Sequence, residues 1–215
     1  VGKGTPEEIK LEAHIWEKLK GVSFEDMSAK EIKDFLITQG IGTDCSGFVA
    51  HVINYWHKKE TGSNVWNQIK IPKKGVMQKI AYWLKPVEKL GVDVLTNKDN
   101  AEKIVLKDVQ PGDLIRSKWK KKNSHHVLLV YSVESEEGEL RKIKYVHSIP
   151  RFEEDSGVKF GEIEITDVTK PLQEQVWNEA DEHGVKHTLE GYKIQVQDNG
   201  LRRMHVVKKL QENAK

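Results

Sequence analysis

The sequence is short of several things, and each shortage excludes a class of protein. It has one cysteine in 215 residues, so neither an internal disulfide framework nor a multi-thiolate zinc site is open to it. No apolar run approaches the ~18 residues that a membrane-spanning helix needs, so no membrane span is expected. No charge sign dominates: 35 Lys and Arg face 33 Asp and Glu, a formal net charge of +2. That balance gives no global electrostatic case for nucleic acid as a partner. No apolar stretch of signal-peptide length follows Val1–Thr5. What remains is a 24.7 kDa chain, 37% apolar and 32% charged, long enough to bury a sizeable core. A lone cysteine in a chain with nine histidines is a candidate nucleophile.

Local signals divide the chain into a helical front and a strand-rich remainder. Thr5-Pro6-Glu7-Glu8 and Ser28 with Glu31 are two capping boxes, each opening an amphipathic helix. Ile9, Ile15, Trp16 and Leu19 recur at helical spacing and are expected to pack inward, and Gly40 offers a left-handed stop. A third helix is expected from Cys45 to about Lys59, with Phe48, Val49, Val52, Ile53 and Trp56 on one face and Gly62 as its stop. Trp66, Val76, Ile80, Trp83 and Leu84 suggest another short helix. From Val105 the pattern turns to strands. Val127–Tyr131 reads as a buried strand and Ile143–His147 alternates, the two joined as a hairpin through the Glu136-Glu137-Gly138 turn. Val158 to Ile165 alternates again. A polar helix over 171–183 and a strand around Tyr192 to Val196 complete the reading. Helices followed by antiparallel strands predict an α+β fold.

The chemistry concentrates at Asp44-Cys45-Ser46-Gly47-Phe48-Val49. The only thiol falls in the first turn of an apolar helix, where unpaired N–H groups and the positive dipole end are expected to lower its pKa. Asp44 or Thr43 can cap that helix, and Gly47 lets another chain approach its start. The proton carrier is His125 or His126, which open a strand just after a Lys-rich loop. Adjacent strand residues face opposite ways, so only one can meet the thiol. His126, directly before the Val of the motif, is favoured, with His125 the alternative base. His147 ends the next strand and can share a face with His126, giving nucleophile, base and orienter.

Four blocks in order, Asp44-Cys45-Ser46-Gly47-Phe48-Val49, Gln110-Pro111-Gly112-Asp113-Leu114-Ile115, Ser124-His125-His126-Val127 and Tyr145-Val146-His147-Ser148, resemble the NlpC-type cysteine peptidases. The resemblance spans roughly residues 41 to 165. It implies a papain-like α+β fold with N-terminal helices packed on a central antiparallel sheet, and hydrolysis of amide bonds in peptidoglycan stem peptides, often beside γ-linked D-glutamate. It makes Cys45 the nucleophile, His126 the base and His147 the third member, and it implies a secreted or cell-envelope setting. On this reading the chain is one catalytic domain: a helical extension over 1–40, a core over 41–170 and a C-terminal extension over 171–215. The family's aromatic stretch upstream of the cysteine is missing. Gln39, six residues before Cys45, is the candidate oxyanion donor in its place, with Asp44 and Ser46 as further positioning candidates. The segment between the cysteine helix and the Pro-Gly-Asp turn is long, a candidate wall or lid of the cleft.

Other features carry less. Lys118-Trp119-Lys120-Lys121-Lys122 reads as a solvated loop tip, or with His125, Lys120 and Lys121 as a rim for an anionic muropeptide substrate. His183 and His187 have metal-ligand spacing, but Gly184 lies between them and no HExxH glutamate accompanies them, so the pair is incidental. Neither a metal nor an organic cofactor is called for. Two alternatives to a peptidoglycan peptidase stand: an amidase or acyltransferase on another substrate, and an inactive cell-wall-binding module.

Overall fold

The structure is a computed structural model, and it describes residues 2–72, 85–119, 124–149, 157–179 and 186–213. Six α-helices are found among them: α1 (Pro6–Lys20), α2 (Ala29–Gln39), α3 (Cys45–Thr61), α4 (Val92–Thr96), α5 (His187–Ile194) and α6 (His205–Asn213). Seven strands form one antiparallel sheet: β1 (Ala101–Lys103), β2 (Leu114–Trp119), β3 (Ser124–Glu136), β4 (Glu139–Ile149), β5 (Gly157–Glu164), β6 (Val176–Asn178) and β7 (Gly200–Met204), in the order β1-β7-β2-β3-β4-β5-β6. The α+β class expected from the sequence is therefore present.

Helix starts follow their local signals. Thr5 and Ser28 each accept the N3 backbone N–H while Glu8 and Glu31 accept the cap's own, completing both capping boxes. Asp44 caps α3 through an acceptor bond from Gly47 N at 2.6 Å, and Gly62 ends the helix at φ 72°. The β3–β4 hairpin closes through Glu137 and Gly138, both at positive φ, the conformation that a two-residue turn of matching twist requires.

Strands β2 and β3 are buried on both faces. Leu114, Val127 and Leu129 join Val49, Ile53 and Leu95 in a core beneath α3 and α4; Ile115, Leu128 and Val130 join Tyr145, Ile163 and Trp177 in a second core on the other face. This explains why Val127–Val130 reads as a continuous apolar run.

Three expectations give way. Ile15 and Leu19 are 48% and 69% exposed, and Ala13 alone of α1 is buried, because α3 to α6 already cover the faces of the sheet. Tyr192 lies in helix α5, and the late strand is β7, whose Arg202 and Arg203 disguise its alternation. Within 171–179 a 3₁₀ turn (Leu172–Glu174) and strand β6 stand where a polar helix was expected, the remainder of that helix lying outside the described residues. Of the short helix expected near Trp66, only Trp66 is described, in a 3₁₀ turn over Val65–Gln68; Val76, Ile80, Trp83 and Leu84 lie outside the described residues.

The tail is not peripheral, since β7 inserts between β1 and β2. Its Arg203 grips the fully buried Asp113 with two bonds of 2.7 Å, while Gln110 N donates to the same carboxylate at 2.7 Å. Gly112, at φ 95°, fits against Trp56 of α3 and Val207 of α6, where a Cβ would come within 2.8 and 2.9 Å of their side chains. The Pro-Gly-Asp turn is thus held from both sides. Arg203→Ala, which strands the Asp113 carboxylate, is expected to cost about 3–5 kcal/mol in urea unfolding; a loss below about 1 kcal/mol would contradict the role given to this pair.

Candidate active site

Strands β3 and β4 separate at the end away from their hairpin. Their last cross-strand pair there is Leu129 with Val146; beyond it, β3 pairs with β2 and β4 with β5. Cys45, the first residue of α3, is half-buried against this opening, and its sulfur accepts hydrogen bonds from the backbone N–H groups of Val127 and Ser46. On the far face of the strands His126 Nε2 lies 2.7 Å from His147 Nδ1, a hydrogen bond between two buried imidazoles. Cys45, His125, His126 and Ser148 border a single cavity of about 380 Å³. Ser148 Oγ donates to Thr43 O at 2.6 Å, tying the end of β4 to the residue before the α3 cap.

Parity along β3 separates the neighbouring histidines. His126 shares the face of Leu128 and Val130 with His147, which stands edge-on to Tyr145 at 5.8 Å. The Tyr145 hydroxyl donates to Glu179, and its ring crosses β5 at Gly161, where any Cβ would overlap it. His125 takes the other face and enters an ionic group: its Nδ1 is 2.7 Å from Asp93, and Arg116 Nη2 donates to Asp93 at 2.7 Å and to Asp198 at 2.9 Å. Arg116 Nη1 also donates to Thr96 Oγ1 at 2.6 Å.

The other sequence candidates separate. Asp44 and Ser46 line the cavity, but Asp44 Oδ1 is engaged by Gly47 N and by Ser46 Oγ at 3.0 Å, which makes it a cap. Gln39 ends α2 and does not border the cavity. Lys120, Lys121 and His183 lie outside the described residues. Arg116, Glu179 and Lys3, which reaches the cavity from the chain's front, went unread in the sequence because their partners lie far along the chain. Lys3 meets Leu90 O, for example, at 2.8 Å. No protein-family model, curated protein or solved structure matches the chain. The likeness read from the four motifs therefore rests on those motifs alone. Among the described residues, no group of three or more His, Cys, Asp or Glu side chains could hold a metal ion.

Electrostatics reverse the expectation drawn from the helix dipole. Burial pushes the Cys45 thiol up to about 11, outweighing the N–H donors of Val127 and Ser46 and the nearby Lys3 charge. Burial, with a smaller contribution from the neighbouring imidazole, drives His126 well down, and burial lowers His147 to about 4. The resting site at neutral pH is a thiol beside two neutral imidazoles, and the helix dipole loses because removing charge from water costs more than a helix end returns. Iodoacetamide alkylation of this single cysteine, without substrate, is expected to rise about tenfold per pH unit toward pH 11. A plateau between pH 5 and 8 would instead reveal a preformed thiolate–imidazolium pair.

Proposed function

We propose that the chain is a papain-like cysteine hydrolase of NlpC type that cleaves amide bonds in peptidoglycan stem peptides. One observation carries the reading: the chain's only thiol heads a buried helix at the opening between β3 and β4 and borders the same cavity as His126, which is hydrogen-bonded to His147 behind it. The four ordered motifs supply the substrate class.

The neutral resting site sets the order of events. In the tautomer this mechanism requires, His126 Nε2 donates to His147 Nδ1 across their 2.7 Å contact, and proton exchange with the thiol is assigned to His126 Nδ1. As the sulfur attacks the acyl carbon, the thiol proton passes to His126 and the carbonyl π pair moves onto oxygen. Collapse of the tetrahedral adduct breaks the C–N bond, and the leaving amine takes the proton from His126. Water, deprotonated by His126, then releases the acid from the thioester and restores the thiol. His147 is the positioning residue: it fixes the tautomer of His126 and accepts its hydrogen bond while charge develops.

Purified peptidoglycan digested with the protein should yield new amine and carboxyl termini within stem peptides, resolved by mass spectrometry. Cys45→Ala should abolish the products and His126→Ala should lower their rate by at least about a hundredfold. An unchanged muropeptide profile with the folded wild-type protein would count decisively against the substrate assignment.

A further inference from the structure

The reaction needs a partner for the oxygen that becomes negative when the thiol attacks. Gln39, the residue the sequence offered, does not border the cavity. The Cys45 N–H is one donor by position, since the first residue of a helix has no intrahelical acceptor. A second comes from the front of the chain. Gly2 and Lys3 bridge to Thr43, Gly2 O accepts from Asp44 N, and Lys3 O accepts from His51 Nε2 at 2.9 Å. The segment can lie this close because residue 47 is glycine: a Cβ there would come within 2.9 Å of Gly2 O and 2.8 Å of Thr43 Oγ1.

This path delivers the Lys3 ammonium into the catalytic cavity, where it is the one Lys or Arg among the described residues lining it. Its Nζ donates to Leu90 O at 2.8 Å, just before Gly91 of the cavity wall, and to Ser46 Oγ, beside the nucleophile. Its third contact, to Asp44 Oδ1, is the longest at 3.2 Å, and that carboxylate is already satisfied by its capping bonds. A new negative charge at the start of α3 can therefore take over the third donor without unmaking the other two. The ammonium side chain is only 17% exposed, so the charge acts where water screens it poorly.

We propose that Lys3 is the charged oxyanion donor of this site, acting with the Cys45 N–H on the tetrahedral adduct. The assignment rests on the hydrolase reading above and adds a residue to it. It accounts for the absence of the family's upstream aromatic stretch: the charge arrives from a different part of the chain. As the Cys45 sulfur bonds to the acyl carbon, the carbonyl π pair moves to an oxygen held by Lys3, and that pair re-forms the double bond when the amine leaves.

The probe is acetyl-L-alanyl-D-glutamate γ-semialdehyde, whose addition to Cys45, with the thiol proton passing to His126, forms a hemithioacetal that sets its oxygen where the oxyanion develops, without turnover. Its reduced alcohol serves as the control that keeps the carboxylate and cannot form an oxyanion. Lys3→Met should weaken aldehyde binding by about a hundredfold and alcohol binding by less than about threefold. It should lower kcat by the same large factor with KM nearly unchanged, and Lys3→Arg should recover most of both losses. Equal weakening of aldehyde and alcohol, or a raised KM at constant kcat, would make Lys3 a ground-state carboxylate site and overturn the proposal. Undiminished aldehyde binding by Lys3→Met would also overturn it. If Lys3→Met unfolds, Lys3→Gln is read in its place, with urea unfolding to verify each variant. A wild type that takes up neither aldehyde nor peptide substrate would fail the hydrolase reading itself, a result distinct from any of these.

Discussion

Two strands that are paired at a tight turn and recruited by different neighbours at their other ends must part, and the site depends on that parting. Glu137 and Gly138 lock the register of β3 and β4 at the hairpin. At the far end β2 holds residues 124–129 and β5 holds residues 147–149. A buried backbone N–H left facing the gap needs an acceptor, and the Val127 N–H finds the Cys45 sulfur. The same opening lets a helix on one face and His126, backed by His147, on the other border a common cavity. Had the ladder continued past Leu129 and Val146, the sheet would separate the thiol from His126.

Burial then decides the electrical state of the site. The thiol and both imidazoles are held neutral by the same removal from water that packs them, and the positive helix end is too weak to reverse this. On the proposed hydrolase reading, the thiol and the imidazoles gain charge only during attack, so the donors that meet that charge matter more than a preformed thiolate–imidazolium pair. The surrounding groups are braced accordingly. Glu179 holds the Tyr145 hydroxyl, Tyr145 backs His147, and Arg116 confines His125 to an ionic group with Asp93 and Asp198.

Local chemistry was legible and long-range pairing was not. Thr5 with Glu8, Ser28 with Glu31, Asp44 with Gly47 and the Glu137-Gly138 turn each act within four residues, so their elements could be read directly. Cys45, His126 and His147 stood out because ordered motifs carried them. Apolar spacing in α1 misled, because periodicity tells which residues share a face and not whether a core is there to receive it. β7 was hidden by two arginines, of which Arg203 meets Asp113, ninety residues earlier, and Arg202 meets the backbone carbonyls of Leu201 and Asp198. Lys3 gave no local sign at all, since its role depends on a chain path set by Gly47 and Thr43.

The most direct measurement is acyl transfer to the thiol itself. The protein is mixed with p-nitrophenyl acetate, quenched in acid and followed by intact mass. One acetyl group should appear on Cys45 and turn over in the wild type, persist far longer in His126→Ala, and be absent from Cys45→Ala. Acetylation that survives in Cys45→Ala, or a Cys45 acyl group lost as fast without His126 as with it, would contradict the account.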